Sequence, residues 1–201
     1  MPASAGRTTM CPTELGYNER DPACLRLLPI QTRVEPKPLM EWRLEPHHWT
    51  RVDLDVNDPD QLIAALNKVA ETIEVNVDEA RALGFWHDDA EDNPIPSPAG
   101  MVEVPRWRHA LINMDHPLLR KGLIILDTPG LNAIGAEPEL TMSLIPQAQA
   151  VVFMLATDTG VTASDLAMWR EFLAGVDDNA SRFVVLNKID TLWDALNTQA
   201  Q

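Results

Sequence analysis

The apolar run Leu123-Ile-Ile-Leu126 and the turn after it constrain the fold of this chain most strongly. Four branched apolar residues are too few for a helix, and they lead directly into Asp127-Thr-Pro-Gly130. This pattern predicts a strand that is buried on both faces and ends in a tight loop. A carboxylate at the end of such a strand, followed by a glycine backbone, is where an open α/β sheet holds a phosphate and its metal ion.

Two further apolar runs follow, Ala150–Leu155 and Arg182–Leu186, and both predict buried strands. Between them, Thr162 is a helix-capping residue and Gly175 a helix-ending residue. Strand, helix and strand in this order imply right-handed crossovers. We therefore predict an α/β fold with a mostly parallel, doubly wound sheet.

The amino-terminal half shows less regular alternation. The hydroxyl-rich stretch from Gly6 to Leu15 is predicted to be a loop, and Trp107 to Met114 an edge strand. Two helices are expected between these segments. Asp58, followed by Pro59, is predicted to cap the first, and Asn76 is predicted to cap the second. Residues 35–105 match no motif and are interpreted as an insertion.

Composition limits the possible partners. The 201 residues suffice for one α/β domain or most of one, and they carry a net charge of −14. The resulting pI is about 4.6. Such a surface repels phosphate backbones and anionic lipid headgroups, so we expect this segment to bind neither nucleic acid nor a membrane directly.

Cysteine and histidine usage points to no metal centre. Cys11 and Cys24 have no metal-ligand neighbours at a useful spacing, and reduced thiols are expected. The pair His47-His48 has no third ligand at helical or turn spacing. We interpret both as surface histidines.

A second polar strand end, Asn187-Lys-Ile-Asp190, begins sixty residues after Asp127. The carboxylate of Asp190 can accept hydrogen bonds from N1–H and the exocyclic amino group of guanine, a pair that adenine cannot supply. Asn187 can reach the O6/N7 side of the base or tie down neighbouring loops. The aliphatic stem of Lys188 can lie over the base plane.

Together these motifs resemble those of dynamin-like GTPases, and most closely the bacterial members of that superfamily. Asp127–Gly130 is similar to the third GTPase motif and Asn187–Asp190 to the fourth. The stretch Thr8–Leu15 resembles the first switch, in which a threonine followed by a proline precedes an edge strand. Leu131-Asn132 also fits this family.

The resemblance implies a three-layer αβα fold of the P-loop NTPase type. On this interpretation residues 1–201 are a partial GTPase domain, incomplete at both ends, from the first switch to the fourth motif. The implied activity is GTP hydrolysis to GDP and phosphate with Mg²⁺, in the service of membrane remodelling. It also implies self-association of GTPase domains, membrane contact through absent regions, and a cytoplasmic location that is membrane-peripheral in the parent protein.

The resemblance also implies roles for individual residues. Asp127 would hold Mg²⁺ through a water, and the Gly130 N–H would meet the γ-phosphate. Thr9 would bind Mg²⁺ and orient the attacking water, with Thr8 and Thr13 as the alternatives. Asn187, Lys188 and Asp190 would select guanine.

The chain contains no Gly-x-x-x-x-Gly-Lys-Ser/Thr sequence, which would supply the phosphate cradle and its lysine. We therefore expect it to be an internal piece of a GTPase domain that binds GTP weakly or not at all. The alternative is a non-catalytic pseudo-GTPase or interaction module that has lost this loop.

Overall fold

The computed structural model describes residues 11–90, 93–128, 147–157, 160–170 and 181–189. The chain divides into two compact units, residues 1–137 and 138–201. The first unit contains β1 (Thr13–Gly16), β2 (Cys24–Pro29), α1 (Leu39–Trp42), β3 (Thr50–Asp53), α2 (Pro59–Val69), β4 (Thr72–Asn76), α3 (Val77–Ala82), β5 (Met101–Pro105), β6 (Trp107–Asn113) and β7 (Ile125–Asp127). The second contains β8 (Ala150–Ala156), α4 (Ala163–Met168) and β9 (Ser181–Asn187). This mixture confirms the predicted α/β class.

Strand pairing is mixed rather than mostly parallel. The first unit has a five-stranded sheet in the order β3-β2-β6-β1-β7 and a β4-β5 hairpin. Within these, only β1 and β6 run parallel. In the second unit β8 and β9 pair in parallel. The predicted doubly wound sheet is thus not found among the described strands, since apolar runs identify strands but not the direction of their neighbours.

The middle of the five-stranded sheet is buried on both faces. On β2, Leu25 and Leu27 pack in one cluster with Ala65 and Val69 of α2. Leu28 points to the opposite face and packs with α1 and Trp49. The five-stranded sheet therefore has an apolar layer on each side.

Two predictions about the strands are corrected by this sheet. The strand β6 lies between β2 and β1 and is not an edge strand. The predicted loop from Gly6 to Leu15 becomes the strand β1 at Thr13, and its part before Cys11 lies outside the described residues. The Ala110 N–H donates to the Pro12 carbonyl at 2.9 Å, so pairing with β6 orders this polar segment. Long-range pairing of this kind overrides local composition.

The predicted helix starts are confirmed. The Asp58 carboxylate accepts hydrogen bonds from the N–H groups of Asp60 and Gln61 at the start of α2. Asn76 and Glu79 form a reciprocal capping box at α3. Thr162 caps α4 in the same way. These local signals are readable because each cap satisfies backbone donors of its own first turn.

The strands β7, β8 and β9 are more exposed than predicted. Ile125 of β7 is 46% exposed and Phe183 of β9 is 53% exposed. Among the described strands, β7 has β1 as its one neighbour, and β8 and β9 pair only with each other. The prediction of burial on both faces is therefore wrong for these strands, since side chains on them are about half exposed.

Two polar side chains of β6 are buried. The Nδ2 group of Asn113 donates to the carbonyls of Asn18, Asp21 and Pro22, and its Oδ1 accepts from the Asn18 N–H. His109 is 1% exposed, and within the described residues neither of its ring nitrogens has a hydrogen-bond partner. Asn113 thus fixes the loop before β2, whereas His109 fills apolar space beside Trp49.

In the part of the chain that the structure describes, no helix has the length and apolar character needed to cross a membrane. Cys11 and Cys24 are buried free thiols.

Candidate functional site

The third-motif aspartate lies at the end of β7, opposite one of the candidate threonines. In the antiparallel pair β1–β7, Asp127 is the register partner of Thr13. Directly opposed residues project from the same face of a sheet, with Cβ atoms about 4.5–5.5 Å apart. The structure thus brings together two oxygen-bearing side chains at one edge of the first unit.

Local hydrogen bonds fix Thr13. Its hydroxyl donates to the Cys11 carbonyl at 3.1 Å, which leaves the oxygen lone pairs as acceptors. Burial raises the pKa of the Cys11 thiol to about 12, which favours its protonated form at neutral pH. Hydroxyl and carboxylate oxygens are the donors that Mg²⁺ takes in proteins, so Thr13 and Asp127 fit that ion.

The fourth motif follows β9 in the second unit. Asn187 is the last residue of that strand and pairs with Ala156 of β8. The Thr157 N–H donates to the Asn187 carbonyl at 3.3 Å. The Thr157 hydroxyl donates to the Lys188 carbonyl at 2.9 Å. The carboxyl ends of these two parallel strands are therefore joined through one threonine.

Sequence reasoning missed Thr157. The available signal was a hydroxyl residue directly after an apolar strand, but its importance depends on the register of β8 against β9. That register places Thr157 one step beyond the Ala156–Asn187 pair, at the level of Lys188.

Lys188 adopts a left-handed backbone conformation, with φ of 57°. It is the one residue other than glycine with positive φ in the described ranges. Such a conformation costs about 1–2 kcal/mol for a residue with a Cβ and persists only where its surroundings hold it. Here the side-chain Oδ1 of Asn187 accepts from the Lys188 N–H at 2.9 Å. Asn187 therefore stabilises the turn that it begins, and both roles predicted for it, reaching the base or tying down neighbouring loops, stay predictions.

The remaining predicted site residues are not placed. Thr8, Thr9, Gly130 and Asp190 lie outside the described residues. Asp127 belongs to the first unit and the Asn187–Lys188 turn to the second, and each is described within its own unit.

Comparison with known proteins identifies the family. The family model described as "Dynamin family" matches residues 1–190, which include both strand-end motifs and the candidate threonines. No curated protein matches the chain. A match over nearly the whole length shows the family directly. The chain therefore belongs to the dynamin family, a family of GTP-binding proteins.

Proposed function

We propose that this chain is part of a dynamin-like GTPase that hydrolyses GTP to GDP and phosphate and remodels membranes. Family membership supports the GTP-binding part of this proposal. The observation that supports the proposal most directly is the hydrogen bonding between the carboxyl ends of β8 and β9 in the second unit. There, Thr157 and Asn187 hold Lys188 in a left-handed conformation, two residues before Asp190.

The proposed selectivity for guanine comes from two charge-assisted hydrogen bonds to one carboxylate. The Asp190 carboxylate accepts from two guanine donors, and the Lys188 stem covers the base. Since the Oδ1 of Asn187 already accepts the Lys188 N–H, its amide nitrogen is the group proposed to reach O6 or N7. A strained turn held by two hydrogen bonds keeps Asn187 and Lys188 in place before the base arrives.

On the phosphate side, Asp127 is proposed to hold Mg²⁺ through a water, and the Gly130 N–H to meet the γ-phosphate. When bound, Mg²⁺ neutralises charge that develops on the phosphate oxygens. Thr9 remains the proposed metal ligand and water-orienting residue. The position of Thr13 opposite Asp127 supports Thr13 as the alternative.

Further parts of the proposal concern the whole protein. We propose the doubly wound P-loop NTPase layout for the whole GTPase domain, and family membership is its support. We propose a cytoplasmic, membrane-peripheral protein whose GTPase domains self-associate and whose membrane contacts lie outside this chain. The net charge of −14 supports the absence of nucleic acid among its partners.

An NMR titration of the chain with Mg²⁺ and either GTP or ATP tests this function. We expect a dissociation constant for GTP well above the micromolar range, because the chain lacks a P-loop sequence. We also expect GTP, at millimolar concentration, to shift the amide signals of Thr157 and Lys188. Adenine lacks the two donors that would bond to the Asp190 carboxylate. We therefore expect the affinity for ATP to be about 100-fold lower than the affinity for GTP.

The variant Thr157→Val tests the turn itself, since it keeps the side-chain shape and removes the hydroxyl that donates to the Lys188 carbonyl. It should weaken GTP binding without creating affinity for ATP. Equal shifts with GTP and ATP would refute guanine recognition at this turn. Micromolar affinity for a fluorescent GTP analogue would refute the expectation that GTP binding requires a Gly-x-x-x-x-Gly-Lys-Ser/Thr loop.

A further inference from the structure

A cluster of potential metal ligands lies in the first unit, at the 3₁₀ turn Pro46–His48 before β3. The ligand atoms of Glu45, His47 and His48 all lie within 4.8 Å of one another. The described ranges hold no other such group of three or more His, Cys, Asp or Glu residues. Glu45 is the third ligand that the sequence alone did not indicate, because the turn folds it back toward the histidines.

The distance between two of these ligands fits an ion. The Nε2 atom of His48 lies 3.2 Å from the Oε2 atom of Glu45. Zinc binds imidazole nitrogen and carboxylate oxygen at about 2.0–2.2 Å, so neighbouring ligands of a tetrahedral site are about 3.3 Å apart. An ion at this point would take the place of the hydrogen atom between Nε2 and Oε2.

The turn is held by its own backbone and by a buried ring. The His48 N–H donates to the Glu45 carbonyl, and the Glu45 N–H donates to the Trp42 carbonyl, both at 3.1 Å. The Trp42 ring is 1% exposed and meets the His48 ring edge-on, with centroids 4.9 Å apart. The His47 ring lies 4.1 Å from the His48 ring. The fold therefore orders much of this ligand set before an ion binds.

The types of ligand atom decide which class of ion suits the cluster. Lys37 contacts Oε1, which leaves Oε2 beside His48. Mg²⁺ and Ca²⁺ prefer several oxygen ligands, whereas two imidazoles and one carboxylate oxygen suit Zn²⁺ and its neighbours in the first transition row.

We propose that Glu45, His47 and His48 form a binding site for a divalent transition-metal ion of the zinc class, with water in the remaining position. Both histidines are exposed, so solvent and the ion reach the site directly. The proposal rests on the first unit alone and is independent of the proposed GTPase function. Because an ion held here binds the folded turn, it stabilises the folded chain, and this stabilisation rises with the logarithm of the ion concentration once that concentration exceeds the dissociation constant.

Calorimetric titration of the chain with zinc chloride tests the site. We expect about one equivalent to bind, and the variants His48→Gln and Glu45→Gln to lower the affinity at least about tenfold. His116 is an exposed histidine outside the cluster, so His116→Gln is the matched control and should bind zinc like the wild type. Magnesium chloride should not compete.

Cobalt chloride provides a second readout. Bound Co²⁺ should give visible absorption bands that zinc removes and that His48→Gln abolishes. Circular dichroism checks that each variant is folded. Absence of zinc binding by the wild type, or equal zinc affinity in wild type and His48→Gln, would overturn the proposal. Equal losses in His48→Gln and His116→Gln would also overturn it.

Discussion

Lowering the pH from 7.5 to 4.5 is expected to reduce the free energy of unfolding by about 2–3 kcal/mol through His109 alone. Burial lowers the pKa of this imidazole from 6.5 to about 3, and the positive charges of Arg43 and Arg108 act in the same direction. The folded protein keeps the ring neutral, whereas the unfolded chain protonates it near pH 6.5. The stabilisation is therefore complete above pH 6.5 and is lost as the pH falls toward 3.

Urea unfolding followed by tryptophan fluorescence measures this effect, since Trp49 lies against His109. His109→Leu should flatten the dependence between pH 6.5 and 4.5, whereas His116→Leu, at an exposed position, should leave it unchanged. Hydrogen bonds from Arg81 and Arg120 lower the pKa of Asp88 and of Asp115, but both carboxylates are fully exposed, so these pairs add little to the pH dependence. If the free energy of unfolding of His109→Leu kept the same pH dependence as the wild type, His109 would not be the source of that dependence.

The substitution Asn113→Asp is expected to destabilise the folded chain by about 3 kcal/mol or more at neutral pH. The amide nitrogen of Asn113 donates to three carbonyls, at 2.9 to 3.2 Å. A carboxylate has no donor, so a buried negative oxygen would face the same three carbonyl oxygens. The measurement is the free energy of unfolding in urea.

The matched control is Asn76→Asp, the same chemical change at a helix cap. There the side-chain oxygen accepts from the Glu79 N–H at 2.9 Å, and aspartate caps as well as asparagine. We expect a change below about 0.5 kcal/mol for this variant. Similar losses at positions 76 and 113 would show that the donor role of Asn113 is not what stabilises the loop.

Local chemistry explains which parts of the fold were predictable. Asp58, Asn76 and Thr162 were identified as helix caps because each serves backbone groups within three residues of itself. The apolar runs that became β7, β8 and β9 were also recognised, since a short branched run favours a strand.

Features that depend on distant parts of the chain were not predictable. The interior position of β6 and the strand at Thr13 follow from pairing between segments about a hundred residues apart. Burial of a strand depends on what covers it, which an apolar run does not specify.

The candidate site shows the same division. Asp127, Asn187 and Lys188 were found from short motifs, whereas Thr157 is significant only through its register with Lys188. Glu45 joins His47 and His48 because of a turn geometry that the sequence pattern alone did not indicate.

Guanine recognition by the turn after β9 is the central claim, and the ratio of GTP to xanthosine triphosphate affinity tests it most directly. Dissociation constants can be taken from NMR titrations of wild type and Asp190→Asn, even where binding is weak. We expect the wild type to prefer GTP and Asp190→Asn to prefer xanthosine triphosphate, because an amide both donates and accepts at that edge of the base. An unchanged ratio in Asp190→Asn would contradict the assignment of Asn187 to Asp190 as the guanine-binding motif.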